Sequence, residues 1–273
     1  MARLSFTTMG TPEMTGVEAI EAARKYGYQG VDLRVSENKG ELTVDATNEE
    51  IAALRRAFDG EGIAPAGLLC YNDRPSKEPG SWKLMEDSLL RHLEIGAMLG
   101  SPTIRMFGGA IHEYDSPEDF ITRSADVLAS VFERDASDVK IVLQNHGGSY
   151  TFLQGVALAK QLAHPRFGMV FSPDHCVMMG EDMDAVCAVA KTFSLQLYVS
   201  DVAPSDDPES KRAFHGILPG GGVVPLRRAY HAIGGDAFDG WISFKWEKIW
   251  QNHLEEPEIA LPHFMKYFKS HLP

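Results

Sequence analysis

The sequence predicts an α/β protein folded as a single (β/α)8 barrel. Short apolar runs alternate with amphipathic stretches along the whole chain, which implies parallel strands with helices outside them. Eight such strand–helix units fit within 273 residues, the count and length of a closed barrel. The first strand–helix turn lacks G-x-G-x-x-G, which weakens an open dinucleotide-binding sheet.

The units follow in order. Leu4 to Thr8 reads as a strand, and Glu13 to Tyr26 as a helix with Val17, Ile20 and Ala23 at helical spacing. Gly30 to Val35 precedes a helix from Asn48 to Gly60, capped by Thr47 or Asn48. Ile63 to Leu69 leads to Ser81–Leu99, Thr103 to Phe107 to Pro117–Arg134, and Lys140 to Gln144 to Thr151–Ala163. Gly168 to Phe171 leads to Met183–Lys191, Leu195 to Ser200 to Leu226–Ile233, and Ile242 to Trp246 to Pro257–Ser270. No linker divides the chain, so residues 1–273 read as one domain. Function then belongs at the carboxyl ends of the strands. Three loops there stand out: Cys70 to Gly80, Asp201 to Gly222 and Ile249 to Glu256. The second, with Pro204-Ser205-Asp206-Asp207-Pro208, is long enough to be a lid.

Apolar residues make up 44% of the chain, enough for a full core. A formal charge of −12 without a basic run argues against nucleic acid or an anionic membrane surface as partner. A local cationic pocket remains compatible with an anionic small molecule. The cysteines Cys70, Cys176 and Cys187 lack C-x-x-C spacing and read as buried, reduced thiols of a cytoplasmic protein. Met1 to Gly10 has no signal-like apolar segment, and no apolar run approaches the ~18 residues of a membrane span.

Lys245 is the anomaly. It sits inside Gly240-Trp241-Ile242-Ser243-Phe244-Lys245-Trp246-Glu247, the most strand-like apolar run of the chain. An ammonium in such a place is paired, neutralised or used.

Several segments carry a resemblance. They are Asn145-His146-Gly147-Gly148, Phe171-Ser172-Pro173-Asp174-His175 before Gly180-Glu181-Asp182, Ser200-Asp201, and Trp246-Glu247-Lys248-Ile249-Trp250 running into Glu256-Pro257-Glu258. Together they resemble the sugar phosphate isomerase/epimerase family with its xylose-isomerase-like TIM barrel. The resemblance implies proton transfer beside a carbonyl, with one divalent metal held by Glu, Asp, His and Glu. Carried onto this chain, those positions are Gln144, Ser172, Tyr198 and Lys245, with Asp174 displaced by two residues. The family's set carries about −3, whereas this set carries about +1. The resemblance therefore implies a degenerate metal site that attracts a carboxylate, phosphate or enolate instead of a cation. Pairing of copies into a homo-oligomer is likewise an expectation from the resemblance.

Three chemistries follow. In the first, isomerisation or epimerisation proceeds without metal: Lys245 stabilises an enolate, Tyr198 donates a proton, and His146 or His175 is the base. A variant uses a neutral Lys245 as a Schiff-base amine. In the second, the barrel is catalytically silent and binds a sugar or anionic sugar derivative, or serves as a subunit, and Lys245 pairs with Asp174, Asp201 or a bound anion. In the third, a relocated divalent metal draws on His146, Asp174, His175, His112, Glu113 or His215. Asp174 and His175 are poor joint ligands there if both keep strand geometry. Candidate substrate contacts are Gln144, Ser172, Arg105, Asp174, Asp201, Glu247, Trp250 and His215. Arg105 offers a planar fork for an oxyanion. Trp250 and Trp82 are candidate pocket walls, while Trp246 alternates with Lys245 and reads as core. Gly220-Gly221-Gly222 offers backbone N–H groups to a phosphate, or a lid hinge.

Overall fold

In the computed structural model, residues 2–36, 41–71, 74–205 and 212–272 are described. Eight parallel strands close on themselves: β1 (Arg3–Thr7), β2 (Gly30–Val35), β3 (Ala64–Cys70), β4 (Thr103–Met106), β5 (Lys140–Gln144), β6 (Phe167–Phe171), β7 (Ser194–Val199) and β10 (Trp241–Phe244). β10 lies between β1 and β7 and completes the ring. The strands differ from their expected bounds by one or two residues at most ends, and β10 stops at Phe244. Lys245 is thus the first residue past the strand, with its N–H still donated to the Val199 carbonyl at 2.8 Å.

The outer helices are α1 (Gly16–Tyr26), α2 (Asn48–Glu61), α3 (Ser81–Leu99), α4 (Pro117–Arg134), α5 (Phe152–Leu162), α7 (Met183–Phe193), α8 (Leu226–Ala232) and α9 (Pro257–His271). Capping boxes start three of them, with Thr15 and Glu18 on α1, Thr47 and Glu50 on α2, and Thr151 and Gln154 on α5. Ser116 caps α4 ahead of Pro117, whose missing N–H costs nothing in a first turn. Among the described residues no helix is long and apolar enough to cross a membrane.

Strand alternation divides the side chains into two environments. Leu4, Phe6, Val31, Leu33, Ile104, Ile141, Leu143, Leu197, Ile242 and Phe244 belong to the main core, to which the buried faces of the helices also contribute. One layer of the barrel interior is polar. Asp32 accepts hydrogen bonds from Ser5 Oγ at 2.6 Å and Gln196 Nε2 at 2.5 Å, and Gln196 Nε2 also donates to Ser243 Oγ at 2.8 Å. These four residues come from β2, β1, β7 and β10, so the network spans the barrel. Gly67 makes room for it: a Cβ there would lie 2.6 Å from Asp32 Oδ1.

Three expectations change. The loop after β7 contains an antiparallel hairpin, β8 (Asp201–Pro204) with β9 (Phe214–Ile217). Residues 206–208 of the expected lid, like 72 and 73 of the loop after β3, lie outside the described residues. Pro173 opens a short helix, α6 (Pro173–Met178), so Asp174 and His175 are helical and the strand argument separating them does not apply. Trp82 is no pocket wall: it lies in the first turn of α3, buried 5.1 Å from the Phe120 ring.

Candidate active site

At the carboxyl ends of the strands a cavity of about 670 Å³ opens. Arg105, Gln144, His146, Asp174, His175, His215, Glu247 and Trp250 all line it. They come from β4, β5 and the turn after it, α6, β9 and the loop after β10. Trp250, half exposed, and His215 stand on the hairpin side of the mouth together with Gln251 and Phe214. Arg212, Ala213, Phe214 and Gly216, which line the same wall as His215, had no sequence signal beyond the length of their loop.

Lys245 is buried behind this wall. Its Nζ lies 2.7 Å from Asp174 Oδ2 and 3.3 Å from Glu247 Oε1. Burial alone would lower the ammonium pKa, but Asp174 and Glu247 outweigh it and the net shift is upward. The amine is therefore held charged, and the Schiff-base route, which needs it neutral, loses its starting state. Ser172 Oγ donates to Asp174 Oδ1 at 2.8 Å, and Gln144 Nε2 makes a long 3.4 Å contact to Ser172 Oγ. Asn145, read in the sequence only as part of a motif, fixes this turn. It donates from Nδ2 to the Ser172 carbonyl and accepts the Ser172 N–H, both at 2.9 Å.

His146 and His175 lie ring to ring, with centroids 4.1 Å apart, and Phe107 packs edge-on to His146 at 5.0 Å. His146 Nδ1 is 2.8 Å from the Gly147 carbonyl, which only accepts, so Nδ1 carries the proton and Nε2 of the neutral ring is the free base. His175 Nε2 is buried without a hydrogen-bond partner. Burial pushes both imidazoles below their ordinary pKa, most strongly His175, and the Lys245 charge adds to it. Burial acts to raise Glu247, yet the Lys245 charge opposes it and the carboxyl lies below its usual range. The cavity thus joins two neutral imidazoles to an ionised carboxylate.

Two candidates stand elsewhere. Tyr198 is fully buried in an interior layer with Val142 and Val170, beneath the cavity and not on its wall. Burial raises its phenol pKa well above the ordinary value. Asp201 faces its own loop. Its Oδ2 accepts the N–H groups of Gly220 and Gly222, both at 2.9 Å, and its Oδ1 those of Val202 at 3.0 Å and Val224 at 3.1 Å. The expected substrate contact is therefore a loop organiser. Of the glycine amides that were expected to meet a phosphate, those of Gly220 and Gly222 are satisfied by this carboxylate and that of Gly221 by the Leu218 carbonyl at 3.2 Å.

The residues present do not fit a divalent cation. Among the described residues no three His, Cys, Asp or Glu side chains come together as a ligand set. A cation beside Asp174 would meet the Lys245 ammonium, which already occupies that carboxylate. His112 lines a separate surface depression and does not join His146 or His175.

No curated protein sequence matches the chain. Among solved structures, an IolI protein with a bound zinc superposes with a TM-score of 0.75 at 16% identity, covering 98% of this chain and 95% of that one. L-ribulose 3-epimerase gives 0.75 at 16% identity, covering 98% and 94%. D-psicose 3-epimerase of Clostridium cellulolyticum H10, solved with D-tagatose, gives 0.73 at 15%, covering 99% of each chain. At these identities the likeness is one of fold. The family profile itself matches residues 20–268, and with its closed barrel the chain belongs to the xylose isomerase-like TIM barrel family.

Proposed function

We propose that this barrel transfers a proton beside the carbonyl of a sugar or sugar-acid substrate, as an isomerase or epimerase, without the divalent metal expected of its family. The observation that carries the proposal is the pair of neutral imidazoles, His146 and His175, lining one cavity with ionised Glu247. Isomerisation needs one base to move a proton between neighbouring carbons, and epimerisation needs two, on opposite faces of the carbon. His146 Nε2, His175 Nε2 and Glu247 supply either arrangement. Lys245, held charged between Asp174 and Glu247, keeps the Glu247 carboxyl ionised and so available as a base. Gln144 is the neutral donor on the wall. Tyr198, away from the wall, has no direct part. The sugar epimerases among the structural relatives support the reaction class.

The commitment of Lys245 to Asp174 also favours a second reading, a barrel that binds such compounds without reacting. One experiment separates them. Chelator-treated protein is incubated in D₂O with ketoses and sugar acids, and deuterium beside the carbonyl is followed by NMR. Exchange in the chelated protein, reduced about 10²–10⁴-fold in H175N, supports metal-free proton transfer. Exchange that appears only on adding Mn²⁺, Mg²⁺ or Zn²⁺ refutes it. Ligands that raise the melting temperature without any exchange establish the binding role.

A further inference from the structure

Arg105 is a buried cation with no ion pair among the described residues. It is 1% exposed, and its Nε and Nη1 have no hydrogen-bond partner. Asp32 is within reach of its field, but both Asp32 oxygens are taken by Ser5 and Gln196. The guanidinium carbon lies 4.0 Å from the Phe107 ring centroid and 5.3 Å from that of Tyr71, so aromatic faces hold it while leaving Nε and Nη1 unused. Its remaining face is on the cavity.

Removing a guanidinium from water without an ion-pair partner is strongly unfavourable, and no carboxylate among the described residues forms an ion pair with Arg105. Five N–H donors in a planar fork are matched by an oxyanion, and best by a planar carboxylate. The local charge agrees. The chain carries −12 overall, yet among the described residues the cavity is lined by three arginines against two carboxylates, both of which are ion-paired with Lys245.

We propose that Arg105 is an oxyanion subsite of the cavity and that the substrate is a carboxylate-bearing sugar derivative, a sugar acid and not a neutral sugar. This rests on the reading above only in treating the cavity as the substrate site. A single negative charge suffices to neutralise Arg105, which favours a carboxylate over a phosphate dianion. Bound there, the carboxylate sits on β4 and extends the rest of the molecule toward His146 and His175.

The test is calorimetry on chelator-treated protein with glucuronate, glucose 6-phosphate and glucose, using the wild type, R105M and R105K, alongside melting curves. Glucuronate is expected to bind at least tenfold more tightly than glucose. R105M abolishes that preference, and R105K, which keeps the charge but loses the fork, retains part of it. Ligand-free R105M melts no lower than the wild type, because an unpaired buried charge has been removed. Equal affinity for glucuronate and glucose, including no binding of either, overturns the subsite. So does a preference that survives in R105M, or an R105M protein that melts well below the wild type, which marks a structural arginine. Tighter binding of glucose 6-phosphate than of glucuronate overturns the carboxylate class. Carboxylate binding without deuterium exchange keeps this subsite and removes the proton-transfer reading. Exchange on neutral ketoses that is unchanged in R105M does the reverse.

Discussion

Replacing Lys245 by Met removes the ammonium and leaves Asp174, 2% exposed, without its cation. At 2.7 Å and an effective dielectric constant of about 20, the attraction in this pair is about 6 kcal/mol. Desolvating the two ions costs several kcal/mol each, so the intact pair adds little net stability over a packed apolar pair. Breaking it is a different matter. In K245M the Asp174 carboxylate keeps only the Ser172 hydroxyl and faces Glu247 across the lost cation, and stability falls by about 3–5 kcal/mol. D174N costs less, because Lys245 keeps Glu247 at 3.3 Å. The double variant leaves neither buried charge, since Glu247 is 27% exposed and reaches water. It is expected to be more stable than K245M, with a coupling of about 2–3 kcal/mol between the two positions. Urea denaturation followed by tryptophan fluorescence measures all three variants. Single-variant losses that add within about 0.5 kcal/mol would show that the pair is not a unit. The same K245M protein, titrated by NMR, should show His146 and His175 moved up in pKa, since Lys245 helps to hold both down.

Two further outcomes follow from the site. His175 is neutral in the fold with a depressed pKa, so below about pH 6.5 the unfolded chain binds the extra proton and stability drops. The stabilisation is whole above that pH and is lost as pH falls toward the depressed folded value, at up to about 1.4 kcal/mol per pH unit. Urea midpoints between pH 7.5 and 5 measure the slope, and H175Q should flatten it; an equal slope in the variant would assign it to other groups. D201N turns an amide toward two of the four backbone N–H groups that Asp201 serves, at a cost of about 1–3 kcal/mol for each left unpaired. Hydrogen exchange should speed up at Gly220 and Gly222 well before the barrel strands, and a uniform increase across the barrel would contradict a local role.

Where local chemistry is strong, the element bounds were legible to the residue. The α3 and α4 spans match their sequence reading because Gly100 ends the one and Ser116-Pro117 starts the other. The short helix α6 escaped notice because six residues are too few for a periodic pattern. The hairpin escaped because its strands are four residues each and pair across a loop. Most of the site followed from strand ends alone, since every candidate within two residues of a β4, β5 or β6 terminus is in or directly behind the cavity wall. Tyr198 fell away because it is one residue too deep along β7, and strand pleating places it in the interior layer.

The sequence by itself determined the alternating pattern, hence the closed barrel and the rim on which its chemistry sits, and it marked Lys245 as a charge in need of a partner. It left three partners open: Asp174, Asp201 and a bound anion. Only the tertiary structure decided among them. Asp174 reaches Lys245 because barrel closure brings the start of α6 next to the end of β10, whereas Asp201 turns its oxygens to amides of its own loop. The same closure left Arg105 buried with Nε and Nη1 unpaired among the described residues. Periodicity encodes which face a residue takes, but the pairing of charges depends on distances across the ring, and these exist only once the ring has closed.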